Sequence, residues 1–495
     1  MQDDEQMKLR RRDFLTGLSG TGITLALPAC ANAPERSLIP PPKPAQSADS
    51  IVSRAGLGGD IAYALIDISD GNLLEARGAN TGLPPASVAK AITALYALEK
   101  LGPGYRFSTR VLATGPVQGG VLRGDLVLAG GGDPTLDTDA LAGLAARLVQ
   151  GGVRRVEGRF LVWGGALPAI DQIADDQAVQ AGYNPSVGGL NLNYNRVYFE
   201  WTRQSGDYRV TMDARSDRFR PEVRLARMQV ANRASPLYTF QMARGVEQWS
   251  VARGALGNSG SRWLPVRQPD LYAGEAFQGL AAAQGLSLPA PQRASAAPQG
   301  QTLAEHRSDT LAELLRATLR YSTNLSAEAI GLSATVASGT MPRDLAQSGA
   351  LMNAWARARY GMSSLNMVDH SGLGAASRVS MSDLANMFRR AGREGALKPL
   401  LREHPFRDSN GRRLPEQPFE VRAKTGTLYF VSALGGYIRS PGGREMAFAI
   451  CSSDLRQRAR VVGGGEDAPA GTVEWARTAR NMQQDLLYRW ARAYS

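Results

Sequence analysis

Ser87 and Lys90 stand three residues apart in Ser87-Val88-Ala89-Lys90, at the head of an Ala/Leu-rich segment that runs to Leu101. Residues at that spacing share one helix face, so the hydroxyl and the amine can touch. A serine becomes a nucleophile when a base lies within hydrogen-bond reach. A lysine serves as that base once burial disfavours its ammonium form. The chain holds only six lysines: Lys8, Lys43, Lys90, Lys100, Lys398 and Lys424. One of them at the head of a nearly all-apolar helix is a chemical signal. A second, Lys424, opens Lys424-Thr425-Gly426-Thr427 at the end of a predicted strand. A cation beside two hydroxyls suits a substrate carboxylate, and Gly426 lets a backbone come close. Ser322-Thr323-Asn324 falls between two predicted helices, where a hydroxyl and an amide two residues apart can relay a proton and hold a peptide bond. Taken singly, each run also has an ordinary reading: a helix start, a charged strand end, a cap or turn.

The elements that must position these residues are legible in outline. Residues 61–68 read as a strand that turns at Asp70-Gly71 into a second one, and Pro84-Pro85 halts the extended stretch. The 87–101 helix follows, apolar around most of its circumference and closed by Gly102-Pro103. From about 107 to 290, short apolar strands (126–129, 210–213, 228–231) alternate with Gly-rich turns around one clear helix at 139–149. Residues 289–301, rich in Pro, Ala and Gln, have the composition of a linker. Helices are then predicted at 309–319, 326–337 and 382–391, strands at 419–424, 432–438 and 446–451, and a final amphipathic helix at 473–493. Helix-rich sequence on both sides of a β-rich middle suggests a catalytic domain over 50–106 and 300–495, interrupted by an insertion at 107–299.

Composition removes several classes of function. A chain of 495 residues, 43% apolar and 21% charged, is long enough for several domains and is neither disordered nor a polytopic membrane protein. Two cysteines, Cys30 and Cys451, cannot build a disulfide framework or a thiolate metal site, and His306, His370 and His404 form no zinc-hydrolase spacing. Zinc hydrolysis is therefore not expected. The net charge of +12 comes mostly from scattered arginines, with no basic run interleaved with aromatics, so nucleic acid is not the expected partner. A basic protein is instead drawn to anionic polymers of the cell envelope.

The N-terminus reads as an address. Arg11-Arg12-Asp13-Phe14-Leu15 matches the twin-arginine export pattern, and the apolar stretch from 14 to 29 is too short to span a bilayer. Two endings compete for this 1–33 signal: cleavage after Ala31 or Ala33, or a lipobox Leu27-Pro28-Ala29-Cys30 that would place a lipid on Cys30. Residues 34–49 form a Pro-rich tether. Either ending puts the mature protein in the periplasm, with any membrane contact through Cys30.

Ser-x-x-Lys, Ser-x-Asn and Lys-Thr-Gly in this chain order are the signature of penicillin-recognising serine enzymes. The whole mature chain resembles the D-alanyl-D-alanine carboxypeptidase/endopeptidase family of the penicillin-binding protein 4 type, the low-molecular-mass class C penicillin-binding proteins. The long gap between Ser87 and Ser322 is similar to that family's inserted domains, and 130–136 and 188–195 resemble its insertion signatures. Asp369-His370-Ser371-Gly372-Leu373 resembles its loop before the last motif, with His370 and Gly374-Ala375-Ala376 departing from the usual run. The resemblance implies an α+β fold: a penicillin-binding/β-lactamase-like domain, an antiparallel sheet flanked by helices, with a large β-rich/α-β insertion. It implies peptidoglycan stem peptides as substrate, β-lactams as acylating agents and no metal or organic cofactor. Ser87 would be the nucleophile, Lys90 its base and Ser322 the proton donor to the leaving amine. Asn324 would bind the substrate amide, and Lys424, Thr425, Gly426 and Thr427 the carboxylate end. Lys424 is expected to stay cationic and to depress Lys90. A β-lactamase or esterase on the same scaffold and a non-catalytic envelope-binding protein remain as alternatives, and the oligomeric state stays open, a homodimer included.

Overall fold

The first strand, Asp60–Asp67 (β1), is buried at every residue from Ala62 onward, which is why its sequence shows no clean alternation. Ala62, Ala64 and Ile66 face one hydrophobic core, Tyr63 and Leu65 another, as the two-residue period of a strand requires. The computed structural model describes residues 47–408 and 411–495, of which 48–495 form one compact unit. The signal, Cys30 and nearly all of the 34–49 tether lie outside the described residues. The tether's expected end is corrected, because a helix already begins at Ala48.

β1 belongs to a five-stranded antiparallel sheet with Leu73–Arg77 (β2), Glu420–Leu428 (β3), Val431–Arg439 (β4) and Glu445–Ser453 (β5), in the order β3-β4-β5-β1-β2. Helices cover both faces. Ala89–Leu101 (α1), Leu311–Tyr321 (α2), Asn324–Ala337 (α3) and the helices Leu345–Tyr360 and Met381–Glu394 share a core with one face. Ala48–Ala55 and Thr472–Ala493 bury Met482, Leu486 and Trp490 against the other. The expected antiparallel sheet flanked by helices is what the chain forms.

A second core draws only on residues between Val111 and Ala304. Its sheet runs Pro291–Arg293, Phe160–Trp163, Leu126–Gly130, Ser108–Ala113, Gln301–Arg307, with the helices Thr138–Gln150 and Pro269–Ala282 packed in the same core. This corrects the reading of 289–301 as a linker. Pro291–Arg293 adds in parallel to Phe160–Val162 at the sheet edge, a position where proline's missing N–H costs nothing. It also moves the seam, since Gln301–Arg307 pairs with Ser108–Ala113 and the chain returns to the first core only at Leu311.

Candidate active site

The nucleophile candidate sits where the chain has just been stopped by two prolines. Ala86–Val88 forms a single 3₁₀ turn ahead of α1, and side chains three apart nearly eclipse in that geometry. Ala86 takes φ +45°, a left-handed backbone for a residue with a Cβ, held by complete burial. The turn delivers the predicted contact: Lys90 Nζ donates to Ser87 Oγ at 2.8 Å. Lys90 also donates to Asn324 Oδ1 at 2.7 Å and to the Ser371 carbonyl at 2.8 Å. Three acceptors saturate an ammonium. After loss of one proton, the two acceptors other than Ser87 can hold the remaining N–H bonds and leave the lone pair facing Ser87 Oγ.

Ser322 and Asn324 do not lie in a loop, as the sequence suggested. Ser322 caps α2 in a left-handed conformation with φ +61°, and Asn324 is the first residue of α3. This two-residue reversal points both side chains into one cleft. Lys424 Nζ, arriving from β3, donates to Ser322 Oγ at 3.0 Å and to the Thr425 carbonyl at 2.7 Å. The Asn324 amide is engaged at both ends, since its Nδ2 donates to the Tyr183 carbonyl at 2.9 Å. β3 packs close to Ser87: a Cβ on Gly426 would lie 3.0 Å from Ser87 N and 2.8 Å from the Pro85 carbonyl. Thr425 is half-buried beside it and Thr427 is exposed.

Lys90 and Lys424 are 1% and 2% exposed, so burial dominates their protonation. Burial pushes Lys90 down to about 8, while the charges of Glu328 and Asp369 pull it back up. Burial pushes Lys424 well below the usual lysine range, and the charges of Lys90 and Arg402 push the same way. Both causes favour its neutral form, and a nearby negative charge would act in the opposite direction, toward the ammonium.

Three contributors escaped the sequence reading. Tyr183 holds Asn324 through a backbone oxygen, which no side-chain pattern signals. Ser371 does the same for Lys90. Glu328 was detectable, as an acid inside an otherwise apolar helix. The loop that carries Ser371 is tightly built: Asp369 accepts from Gly372 N at 3.0 Å and Gly374 N at 2.6 Å. Gly372, at φ +78°, lies where a Cβ would meet the Ala86 carbonyl at 2.0 Å. His370, the departure noted in the sequence, is fully buried with Nε2 2.7 Å from Ser348 Oγ, and burial lowers its pKa to about 3, keeping the ring neutral.

The His370 ring occupies the space over Gly331 of α3, where a Cβ would stand 2.2 Å from its Cγ. A helical Gly→Ala change normally stabilises by about 1 kcal/mol. Here we expect Gly331→Ala to destabilise by about 1–3 kcal/mol, because a buried ring must move. Thermal unfolding reads the sign, and a raised midpoint would contradict this packing.

Against known proteins, the profile of the D-Ala-D-Ala carboxypeptidase 3 (S13) family matches residues 45–471. The D-alanyl-D-alanine carboxypeptidase of an Actinomadura species is 27% identical over 440 residues, covering 82% of this chain and 80% of its own. D-alanyl-D-alanine carboxypeptidase DacB of Haemophilus influenzae is 23% identical over 409 residues, 79% of this chain and 85% of that protein. The crystal structure of penicillin binding protein 4 (dacB) from Haemophilus influenzae shares the fold, with a TM-score of 0.71 at 19% identity over 89% of this chain and 99% of that one.

Proposed function

The chain belongs to the D-Ala-D-Ala carboxypeptidase 3 (S13) family and is a serine-type carboxypeptidase, and from that premise we propose that Ser87 is its acyl-enzyme nucleophile and Lys90 the general base. The observation that carries this is the buried Lys90 amine at 2.8 Å from Ser87 Oγ, its other two partners fixed. Ser87 Oγ attacks the carbonyl of the penultimate D-Ala of a peptidoglycan stem as its proton passes to Lys90. The oxyanion meets the backbone N–H groups of Ser87 and Thr427, donors worth about 3–4 kcal/mol each when lost. The proton taken up by Lys90 passes on through Ser322, joined to Lys424, to the leaving amine, which returns Lys90 to its neutral form and leaves the Ser322 hydroxyl intact. Asn324 aligns the substrate amide, and Lys424 with Thr425 and Thr427 takes the terminal carboxylate, Gly426 giving β3 its close approach. Water, activated by Lys90, then releases the acyl group. The same cleft would open a D-amino-acid cross-link as a D,D-endopeptidase, and a β-lactam, with its carboxylate and strained amide, would acylate Ser87.

The catalytic domain comprises the five-stranded sheet and its helices, the insertion comprises the second core, and the protein acts in the periplasm after twin-arginine export. Cys30 carries a lipid if the lipobox is used.

Mass spectrometry of the mature protein after exposure to penicillin tests the reading. We expect one penicillin mass added to the peptide containing Ser87, with the mature N-terminus and any lipid on Cys30 visible in the same spectrum. Rapid penicillin turnover without a stable adduct would favour a β-lactamase. An adduct on another residue would overturn the assignment.

A further inference from the structure

Beneath the nucleophile lies a carboxylate that the proposed reaction does not use. Glu328 is 0% exposed on α3. One of its oxygens accepts from His370 N at 2.9 Å and the other from Ser371 N at 2.8 Å. Ser371 in turn offers its carbonyl to Lys90 Nζ at 2.8 Å. One carboxylate thus holds two successive N–H groups of the loop, and the carbonyl of the second of those residues accepts from the base.

The same helix face continues the arrangement. Asn324, Glu328, Gly331 and Thr335 recur at three- and four-residue steps and so line one stripe of α3. Asn324 accepts from Lys90, Glu328 takes the two loop N–H groups, and Gly331 leaves room for the His370 ring. Thr335 Oγ1 lies 2.7 Å from Ser348 Oγ, which contacts His370 Nε2. One rigid helix therefore sets both non-nucleophile partners of Lys90, Asn324 directly and the Ser371 carbonyl through Glu328.

We propose that Glu328 is the positioning residue of the general base: its carboxylate fixes the Ser371 carbonyl so that the Lys90 lone pair is aimed at Ser87 Oγ. The inference rests on Lys90 acting as the base. A carboxylate suits this place because two N–H donors need two acceptor oxygens, whereas a glutamine offers one oxygen and a competing NH₂. Its charge has a second effect. Lys90 is faced by Ser87, Asn324, the Ser371 carbonyl, Glu328 and Asp369, and its own charge bears on Lys424. Neutral His370 adds no charge. Burial, then Asp369, raises the Glu328 carboxyl above its usual range, but both oxygens accepting N–H bonds suits the ionised form. Ionised Glu328 favours the Lys90 ammonium, so its loss moves Lys90 deprotonation to lower pH.

Glu328→Gln and Glu328→Asp separate reach from charge. The readout is the acylation rate by penicillin against pH, per active site counted by labelled Ser87 and below each unfolding midpoint. In the wild type the rate should rise through an inflection near pH 8, to which burial brings both Lys90 and Glu328, and the inflection belongs to Lys90 if one remains in Glu328→Gln, which has no carboxyl to titrate there. Absence of that labelling or of the inflection would mean that the Lys90 reading has failed, separately from this proposal. In Glu328→Gln we expect the high-pH plateau to fall about 10- to 100-fold, as for a misplaced catalytic group, and the inflection to move to lower pH. Glu328→Asp keeps the charge but cannot span both N–H groups, so its plateau should fall while the inflection stays. Either folded variant with both wild-type plateau and wild-type inflection overturns the proposal. Failure of both variants to fold would make Glu328 a folding residue and overturn it as well.

Discussion

Ser87→Ala should abolish covalent penicillin labelling and D-Ala release while leaving the protein folded. Removal of a serine nucleophile costs activity on the order of 10⁶-fold, because no neighbouring group can form the acyl bond in its place. The substitution is mild structurally: the hydroxyl's recorded partner is Lys90, which keeps Asn324 Oδ1 and the Ser371 carbonyl. Loss of one such hydrogen bond is worth about 1–3 kcal/mol, to be read as a modest shift of the unfolding midpoint. Because Lys90 stays buried, the variant should still bind substrate, and a stem peptide ending in D-Ala-D-Ala should protect it against thermal unfolding. Labelling that survives in Ser87→Ala would place the nucleophile elsewhere.

Lys90→Arg and Lys424→Arg should fail in different ways. Arginine does not give up its proton in proteins, so it cannot serve as a base. Lys90→Arg also forces a larger permanent cation into a site that is 1% exposed. Acylation should drop about 10²–10⁴-fold or more, with no rise near pH 8. Lys424→Arg keeps the charge at the carboxylate end and should acylate slowly. Its pH dependence carries the sharper information. In the wild type, burial favours neutral Lys424 and a bound carboxylate favours its ammonium, so substrate binding takes up a proton and KM should rise with pH. In Lys424→Arg the charge is permanent and that rise should vanish, while the Lys90 inflection persists in kcat. Lys90→Arg acylating near the wild-type rate would transfer the base role to Ser322 or a water.

The chemistry-bearing side chains were legible because three short runs in a fixed order constrain each other. Their spacing held where it was local, as in the Ser87 and Lys90 pair. It misled at Ser322, where a left-handed cap joins two helices that a hydrophobic pattern shows as separated by a loop. Backbone contributors such as the Tyr183 and Ser371 carbonyls leave no trace in residue type, since any residue supplies a carbonyl. Strands of the main sheet were recognisable but their faces were not, because helices cover both sides and the alternation disappears. The helices Pro269–Ala282 and Leu345–Tyr360 went unread: the first is rich in Ala and Gly with apolar residues all round, and the second shows no continuous apolar stripe. The segment at 289–301 looked like a linker because its short edge strand contains proline.

The strand order has a consequence for synthesis. Asp60 lies opposite Ser453, so these two neighbouring strands of the five-stranded sheet come from nearly opposite ends of the described chain. Contacts of such separation carry the largest loop-closure cost and form late. The core between Val111 and Ala304 is complete in sequence before any of β3, β4 and β5 is made, so it can begin to condense while the ribosome is still adding the rest. Ser87 is made early, but Asn324, Ser371 and Lys424 follow only much later. A truncated product ending before β5 would leave β1 paired only with β2, cut off from β3 and β4. Until that last strand bridges β1 and β4, Lys424 on β3 has no sheet to hold it beside the turn that carries Ser87.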